Sequence, residues 1–322
     1  MKTKEIVGIE DLKFNKDNLV PVVVQDFVTE RVLMTAYANK EAINKTLETG
    51  KGHFWSRSRR KLWMKGETSG NCLKVIQIRI DCDNDTVLYL VEPNGPTCHT
   101  GNISCFIKEL QGSQSLRKKY DADIVSEITS YYEKAKIVRR RWVKDGSRKT
   151  YEFILNRITE HVPPPSPRTL SWIANEIDDS TSDEVDKVVV PEALGLPIGT
   201  LIAQMKGKPM AIVRKRPFGT DEYLLDKVEY SSGYEKGKYY IYGVKTGERI
   251  LIVDDTISTG GTLISLINIF LKHDVKVVDV ACIMEKEMYR GKQKVQQKFG
   301  IQVKTLVKVR KNGKKMYCTL GR

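Results

Sequence analysis

The sequence has 322 residues, of which 40% are hydrophobic and 29% are charged, a composition typical of globular proteins. No apolar run approaches the roughly 20 residues that span a bilayer, and the N-terminal residues show no secretion signal, so we expect a cytoplasmic protein without membrane association. The formal net charge is +14, of which residues 1–112 carry +2 and residues 113–322 carry +12. The basic second part suggests a polyanionic partner, either nucleic acid or a small molecule with several phosphates, and by charge alone a solvated lysine-rich surface is an equal alternative.

The first part of the chain has the pattern of short strands with one helix. Strand patterns occupy residues 19–27, 32–38, 52–58, 61–67, 75–83 and 85–93. A helix is expected over Lys40–Thr49, because Gly50 can end it. This succession predicts a mostly β, α+β domain over residues 1–112.

The second part begins with a polar stretch, residues 112–124, that fits an exposed connector running into a helix over residues 124–135. Strands then alternate with helices. Strands are expected at 186–193, 209–216, 249–255 and 276–285, and helices at 169–177, 198–205, 262–272 and 292–299. Continuous apolar strands separated by helices predict an α/β domain with a parallel sheet over residues 113–322.

Three of the six cysteines, Cys82, Cys98 and Cys105, lie in the segments "DCDND" and "GPTCHTGNISCF". In a reducing cytoplasm, spaced cysteines favour metal binding or catalysis over disulfides. Three thiolates with an open fourth position are the ligands of a catalytic zinc, whose bound water ionises near neutral pH. His99 could then move protons beside the metal. The alternative is a set of buried structural cysteines and a merely hydrogen-bonded histidine.

The segment "DCDND" also holds three carboxylates, Asp81, Asp83 and Asp85. If the preceding strand continues through them, all three point to one side and Cys82 points to the other. Hard oxygen ligands suit Mg²⁺, whereas thiolates suit zinc. One short segment is therefore expected to serve two metals.

These motifs, together with "KLWMKGETSGN", resemble phosphoribosyl-AMP cyclohydrolase of histidine biosynthesis over residues 8–110. The resemblance implies hydrolytic opening of the adenine ring of N1-(phosphoribosyl)-AMP. It implies zinc on the three cysteines, Mg²⁺ on the three aspartates, and a zinc site completed across a homodimer interface. Candidates for phosphate contacts and proton handling are Lys65, Glu67, Arg57, Arg59 and Arg60, with surface charge as the alternative for Arg59 and Arg60.

In the second part, "ILIVDDTISTGGTLISL" combines an apolar strand, two carboxylates, a Ser/Thr/Gly turn and a helix. Such a turn exposes backbone N–H groups at the positive end of a helix, where a phosphate can bind. We call residues 256–262 the phosphate loop. It offers hydroxyl donors and two glycines that let a ligand approach the backbone: Thr256, Ser258, Thr259, Thr262, Gly260 and Gly261. Asp254 and Asp255 can accept hydrogen bonds from ribose hydroxyls. The alternative is a strand–turn–helix without a ligand.

The stretch "VDDTISTGGT" resembles the PRPP-binding motif of type I phosphoribosyltransferases, and residues 125–290 look most like archaeal hypoxanthine enzymes. The resemblance implies that a purine nitrogen displaces pyrophosphate from PRPP, with Mg²⁺ bridging the diphosphate. The phosphate loop would then hold the 5-phosphate, and Asp254 and the catalytic Asp255 the ribose. Pyrophosphate would be held by the turn of Glu192, Ala193, Leu194 and Gly195 and by the basic residues Arg214, Lys215 and Arg216. Residues 217–237 would form a flexible loop that closes the site.

The base is less closely defined by this resemblance. Glu160 and His161 stand where Asp-Gly is expected in the hood that covers the base, so adenine stays open beside the favoured hypoxanthine. The lysine-rich tail, residues 309–322, lies outside the pattern.

We therefore expect a bifunctional enzyme that acts on phosphoribosyl-AMP, PRPP and a purine base. The alternative makes the second domain a PRPP-sensing or nucleic-acid-binding regulator. The intact pyrophosphate turn and its basic neighbours favour catalysis over nucleic-acid binding.

Overall fold

The structure is a computed structural model that describes residues 5–144, 147–155, 157–231, 236–312 and 315–320. The chain divides into two compact units, Met1–Gln111 and Gly112–Arg322. Within the described ranges, no helix has the length and apolar character needed to cross a membrane.

The N-terminal unit contains one short 3₁₀ helix (Ile9–Asp11), one α-helix and six strands. They are β1 (Val20–Asp26), β2 (Val32–Ala38), α1 (Lys40–Thr49), β3 (His53–Ser56), β4 (Lys61–Met64), β5 (Leu73–Ile80) and β6 (Val87–Pro93). Four strands form a sheet in the order β2-β1-β6-β5, and β3 pairs with β4. This confirms the mostly β architecture predicted for the first domain.

Local sequence explains these elements. Residues of β1 alternate between buried and half-buried positions, as a strand with one face on a core requires. Helix α1 starts where the Asn39 side chain accepts a hydrogen bond from the Ala42 N–H, and it ends at Gly50, whose φ of 66° is left-handed. Both ends match the sequence prediction.

In the described part of the C-terminal unit there are five α-helices and ten strands. The helices are α2 (Ser113–Glu133), α3 (Pro167–Ser180), α4 (Leu196–Lys206), α5 (Gly261–Lys272) and α6 (Gly291–Phe299). The strands are β7 (Lys136–Lys144), β8 (Ser147–Leu155), β9 (Lys187–Pro191), β10 (Met210–Arg214), β11 (Leu224–Ser231), β12 (Lys236–Tyr242), β13 (Arg249–Ile257), β14 (Lys276–Lys286), β15 (Lys304–Asn312) and β16 (Lys315–Leu320). A short 3₁₀ helix, Glu287–Tyr289, follows β14.

Eight of these strands form one sheet in the order β11-β12-β10-β9-β13-β14-β15-β16. The five central strands, β10, β9, β13, β14 and β15, are parallel. The antiparallel strands β12 and β11 extend the sheet beyond β10, and the single antiparallel strand β16 extends it beyond β15. Alternate residues of β13 face opposite layers: Leu251 packs with α2, α3 and α4, and Ile252 packs with α5 and α6. The sheet is covered on both faces, which confirms the predicted α/β class.

Two sequence predictions of local structure are wrong, and a segment that the sequence left unassigned belongs to the sheet. The polar stretch before residue 124 is the first half of α2, because Arg117 binds Asp121 one turn along and Glu176 on α3, and Trp172 donates to Asp121. The predicted flexible loop over residues 217–237 contains β11 and the start of β12, although residues 232–235 lie outside the described part. The unassigned tail forms most of the β15–β16 pair, where Cys318 and Leu320 pack on the core shared with α2.

The predicted extended conformation of residues 81–85 is also wrong. Strand β5 ends at Ile80, and residues 81–86 form a turn in which Asn84 has a left-handed φ of 66°. The Asp81 carboxylate accepts from the backbone N–H groups of Asp85 and Thr86. This carboxylate-to-backbone pattern is typical of turns that begin with aspartate, and it competes with strand geometry.

Candidate active sites

In the N-terminal unit, Cys98 and Cys105 lie close enough to influence each other's ionisation, whereas Cys82 belongs to another part of the unit. Backbone bonds hold the pair: the Cys98 N–H donates to the Asn102 carbonyl at 2.9 Å, and the Cys105 N–H donates to the Leu33 carbonyl at 2.7 Å. The Leu33 contact fixes Cys105 to the start of β2.

Hydrogen bonds and burial affect the two thiols in opposite directions. The Thr100 hydroxyl lies 3.1 Å from the Cys98 sulfur and lowers the pKa of that thiol. Burial and the neighbouring Cys98 raise the pKa of Cys105, and the charge of Lys65 opposes this shift. Lys65 is therefore close to the pair. Such an arrangement provides soft ligands for a thiophilic metal beside a cationic side chain.

Cys82 lies in the turn between β5 and β6, at the other end of the sheet. Strand pairing places Val32 at the carboxyl end of β1 and Val87 at its amino end. Cys105 is bound next to Val32, and the turn that contains Cys82 leads directly into Val87. The two sulfur atoms therefore lie at opposite ends, and at opposite edges, of a four-stranded sheet. Within one chain the three cysteines do not form a metal cluster.

The three carboxylates of the same turn do come together. Ligand atoms of Asp81, Asp83 and Asp85 all lie within 4.8 Å of one another. Among the residues that the structure describes, these three carboxylates are the group of at least three side chains that could hold a metal ion. Burial is the largest single influence on Asp81 and raises its pKa, but the hydrogen bonds from Thr86 and Asp85 together outweigh it and lower the pKa below its ordinary value. All three carboxylates are exposed, and their chemistry fits a hard cation such as Mg²⁺.

The remaining predicted residues of this unit lie at its surface. His99 is exposed, with its Nδ1 4.0 Å from the Cys98 sulfur, and Glu67 is exposed and accepts from the Met64 N–H at 3.3 Å. Arg57 stacks on the Tyr37 ring with 4.1 Å between guanidinium and ring centre. Arg59 and Arg60 are exposed. These positions are accessible to a ligand, and Glu67 also stabilises its own turn.

In the C-terminal unit, a cavity of about 180 Å³ opens at the carboxyl ends of the central strands, where open α/β sheets bind ligands. The phosphate loop follows β13 and lines the cavity at the start of α5. Glu192, Ala193 and Leu194 line it after β9, and Lys215 lines it after β10. The sequence motifs thus meet in one place because they end adjacent parallel strands.

Two carboxylates lie at the base of this cavity. Asp254 is 8% exposed, and burial together with the adjacent Asp255 holds its pKa well above the ordinary value. The Asp255 N–H donates to the Asp254 carboxylate at 2.9 Å. The charge of Lys215 acts in the opposite direction and lowers the pKa of Asp254. A cation or hydroxyl donor entering the cavity would meet this pair of carboxyl groups.

The basic residues after β10 differ in their positions. The Lys215 N–H donates to the Glu192 carboxylate at 2.9 Å, which links the turn after β9 to the end of β10. The Arg214 guanidinium lies 4.0 Å from the centre of the Phe218 ring and 4.0 Å from Glu192. Gly195 packs against Asp254 beneath the cavity. Among Arg214, Lys215 and Arg216, Lys215 lines the cavity.

Three polar side chains that line the cavity were not among the candidate residues from the sequence. Tyr230 and Tyr239 come from β11 and β12, and their rings stack at 4.0 Å. Lys286 ends β14 and is 4% exposed. Its sequence signal is weak, because one lysine among many in "MEKEMYRGKQK" is not distinctive until the end of β14 is placed beside the end of β13.

Lys286 and Glu160 form a second charged group in the cavity. Burial lowers the pKa of Lys286 to about 8, although Glu160 and Asp255 oppose the shift. Burial and the charge of Asp255 raise the pKa of Glu160, and Lys286 lowers it. The Lys286 amino group also donates to the Glu152 carbonyl at 3.4 Å. The cavity therefore presents a hydrogen-bond donor and an acidic group in addition to the phosphate loop and the carboxylate pair.

Comparisons with known proteins agree with the two units. The family model of phosphoribosyl-AMP cyclohydrolase matches residues 34–107, and the phosphoribosyl transferase domain model matches residues 168–313. A phosphoribosyl-AMP cyclohydrolase of Archaeoglobus fulgidus is 59% identical over 104 residues, which are 32% of this chain and 96% of that protein.

Two further similarities are partial. The histidine biosynthesis bifunctional protein HisIE of Bacillus subtilis is 46% identical over 144 residues, 45% of this chain and 66% of that protein. An adenine phosphoribosyltransferase structure from Thermoanaerobacter pseudethanolicus has 21% identity and a TM-score of 0.45, covering 57% of this chain and 99% of that one. The chain belongs to the phosphoribosyl-AMP cyclohydrolase family through its N-terminal unit and carries a phosphoribosyltransferase domain in its C-terminal unit.

Proposed function

We propose that the chain is a bifunctional enzyme that opens the adenine ring of N1-(phosphoribosyl)-AMP and transfers phosphoribosyl from PRPP to a purine base. The observation that carries the first activity is the paired Cys98 and Cys105 beside Lys65, in the unit that is 59% identical to a cyclohydrolase. The second activity rests on one cavity lined by the phosphate loop, the carboxylate pair and the turn after β9.

Zinc in the first unit would be held by two protomers of a homodimer. Cys98 and Cys105 of one protomer provide two soft ligands, and the distant Cys82 is positioned to serve a second protomer. Hydrophobic residues are exposed at the end of the sheet that holds the pair: Phe27, Val28, Val32, Ile103, Phe106 and Ile107. Burial of such a patch against an identical chain supports this assembly. The bound zinc would supply an activated water for attack on the ring.

The chain's own residues would prepare the substrate. Substitution at N1 makes the adenine ring cationic, so the carbon beside N1 is electrophilic. Lys65 and the exposed Arg57, Arg59 and Arg60 supply positive charge for the two phosphates. His99, next to a cysteine ligand, would move protons, and Glu67 would assist in handling them. The carboxylates of Asp81, Asp83 and Asp85 would hold Mg²⁺.

In the second unit, the phosphate loop would bind the 5-phosphate of PRPP, and Asp254 and Asp255 the ribose hydroxyls. The turn at residues 192–195 and Lys215 would bind the pyrophosphate, and a bound Mg²⁺ would offset part of its negative charge. Arg214 and Arg216 add positive charge near the leaving group. Attack by a base nitrogen on C1 of the ribose breaks the bond to pyrophosphate, which departs with the electron pair.

The base is proposed to be hypoxanthine. The Lys286 amino group can donate to the 6-oxo oxygen, and the Glu160 carboxylate can accept from the adjacent N1–H. Adenine presents a donor at position 6 and an acceptor at N1, so it would need the reverse arrangement. A site built to hydrogen-bond one edge discriminates strongly against its complement.

A pair of substitutions tests whether the two activities use separate sites. Cys98→Ser is expected to abolish ring opening while base transfer continues, because it removes a ligand in the first unit only. Asp255→Asn is expected to do the reverse. Both activities are measured on the full chain with phosphoribosyl-AMP, and with PRPP plus hypoxanthine, adenine, guanine or xanthine in turn. Loss of both activities in either variant contradicts independent sites.

If no base yields a nucleotide and the chain instead binds nucleic acid in a salt-dependent way, the second unit is a regulator.

A further inference from the structure

The start of α6 packs directly against the backbone of the phosphate loop. Gly291, the first residue of α6, is buried, and a Cβ atom built on it would lie 2.3 Å from the Ser258 carbonyl oxygen and 2.9 Å from the Gly260 nitrogen. Both atoms are backbone atoms of the phosphate loop. A side chain at residue 291 cannot be accommodated by rotating another side chain, so the loop itself would have to move.

The close approach is reciprocal. Gly260 has a left-handed φ of +80°, and a Cβ on it would lie 3.0 Å from the Gly291 carbonyl oxygen. Two glycines from different elements therefore meet at this contact, where neither has a side chain that would clash. The requirement at Gly260 is both conformational and steric, whereas Gly291 has an ordinary φ and is required for the contact alone.

The start of α6 is itself anchored to the sheet and to the loop. The Lys292 amino group donates to the Thr305 hydroxyl at 3.0 Å and lies 3.8 Å from the buried Glu285 carboxylate. One turn along, the Lys294 amino group donates to the Thr259 carbonyl at 3.5 Å and to the Tyr289 carbonyl at 3.1 Å. These bonds connect the phosphate loop to β14 and β15 through α6.

We propose that Gly291 is a positioning residue for the 5-phosphate of PRPP and that the start of α6 forms the outer support of the phosphate loop. The inference rests on the proposed function, in which the loop binds that phosphate. An anion at such a loop is bound by backbone N–H groups whose directions are set by the loop conformation. A Cβ on Gly291 would lie 2.9 Å from the Gly260 nitrogen, so a side chain at residue 291 would displace the peptide unit that carries this N–H.

The expected effect follows from the distances. If the 2.3 Å contact relaxes to an ordinary separation, the loop moves by about 1 Å. A shift of this size can lower the affinity for a precisely positioned ligand by about 10- to 100-fold. The turn at residues 192–195, where pyrophosphate is proposed to bind, follows a different strand and does not touch Gly291. The loss should therefore be confined to ligands that carry a 5-phosphate.

The test compares Gly291→Ala with Gly300→Ala in the full chain. Gly300 follows the last residue of the same helix and has a left-handed φ of +71°, which is unfavourable for alanine. No atom lies within 4 Å of a Cβ built on it, so Gly300→Ala controls for a change of helix stability without the contact. Affinities for PRPP, inosine 5-monophosphate and pyrophosphate are measured by calorimetry. Gly291→Ala should weaken PRPP and the nucleotide about 10- to 100-fold and leave pyrophosphate unchanged, and Gly300→Ala should change none of them.

Other results would overturn the inference. Wild-type affinity for PRPP in Gly291→Ala, or an equal loss for pyrophosphate, shows that the contact does not position the phosphate. If Gly291→Ala does not fold, Lys294→Met decides, because it removes the bond to the Thr259 carbonyl and should weaken PRPP several-fold while pyrophosphate is unaffected. Ring opening by the first unit gives an internal measure of active protein. Failure of the wild-type chain to bind PRPP contradicts the proposed function itself and is distinguishable from these outcomes.

Discussion

In the proposed function, Lys286 is the residue that distinguishes hypoxanthine from adenine. We predict that Lys286→Met lowers the preference for hypoxanthine over adenine by about tenfold or more, since a hydrogen bond from a charged group contributes about 1.5–3 kcal/mol. The ratio of kcat/KM for the two bases measures the effect. Lys311→Met is the matched control, because the Lys311 amino group binds Glu152 at 2.7 Å and does not line the cavity. An unchanged ratio in Lys286→Met would contradict the role in base recognition.

The same residue gives the preference a pH dependence. The pKa of Lys286 is lowered to about 8 by burial, so the amino group is charged below that pH and neutral above it. The groups around it are Glu160, Asp255, Glu152 and Lys311. A charged donor binds the 6-oxo oxygen more strongly, so the ratio should fall as pH rises through about 8. In the free protein, burial of a charged Lys286 lowers the free energy of unfolding. This loss of stability is fully present below pH values of about 8 and disappears above pH 10.5, the ordinary pKa of lysine, where the amino group is neutral in the folded and the unfolded chain.

The sequence allows prediction of some of these residues and not of others, for a physical reason. The phosphate loop is contiguous, and its strand, carboxylates, glycines and helix must follow one another in order. Lys286, Tyr230 and Tyr239 enter the same cavity from β14, β11 and β12, so their proximity depends on strand order. Gly291 shows the same limitation, because its contact with Gly260 exists only after α6 has packed on the loop.

At the scale of elements, a buried ion pair links α3 to α4. The Lys206 side chain is fully buried and lies 3.0 Å from the carboxylates of both Asp178 and Asp183. Its amino group also donates to the Thr181 carbonyl at 3.2 Å. We predict that Lys206→Met destabilises the C-terminal unit by about 3–5 kcal/mol, because the 8%-exposed Asp178 is left buried without its partner.

Urea denaturation of the full chain, followed through PRPP binding for the C-terminal unit, measures this change. The exposed Lys276 on β14 provides the control, since Lys276→Met should alter stability by less than about 0.5 kcal/mol. Equal stabilities of the two variants would show that the pair contributes nothing to the fold. Ring opening should be retained in both variants, because the affected elements all belong to the C-terminal unit.

Elements are predictable where one face is apolar and the ends carry capping residues. Helix α1 has both features, and β2 is a continuous run between two turns, so their bounds follow from the sequence. The β11–β12 and β15–β16 pairs are rich in lysine and lie at the edges of the sheet, where charged residues prevent further pairing. Such strands resemble loops in composition. The first half of α2 was obscured in the same way, since its partners lie on α3.

At the scale of the whole molecule, two domains of families that act on phosphoribosyl compounds share one chain. They differ in whether one protomer can supply every residue of the proposed site. The proposed PRPP-binding residues line one cavity of one protomer. Cys82 lies across a sheet from Cys98 and Cys105, so the proposed zinc site would require a second copy of the chain. A stable dimer is therefore expected to be essential for ring opening and dispensable for base transfer.

Mixed dimers provide the sharpest test of that expectation. Cys82→Ser and Cys98→Ser are each expected to abolish ring opening as homodimers. If each zinc site takes Cys82 from one protomer and the other two cysteines from its partner, a mixed dimer of the two variants contains one fully wild-type site and one doubly defective site. Random exchange of equal amounts should then restore about a quarter of the wild-type rate, because half the dimers are mixed and each has one working site.

The control is a mixture of Cys98→Ser with Cys105→Ser. Both changes affect the same pair, so every site in a mixed dimer lacks one ligand and no activity should return. Ring opening is assayed after co-expression, with base transfer as the measure of total protein. Failure of the first mixture to regain activity, although mixed dimers are demonstrated by mass spectrometry, would place all three cysteines in one protomer and contradict a shared site.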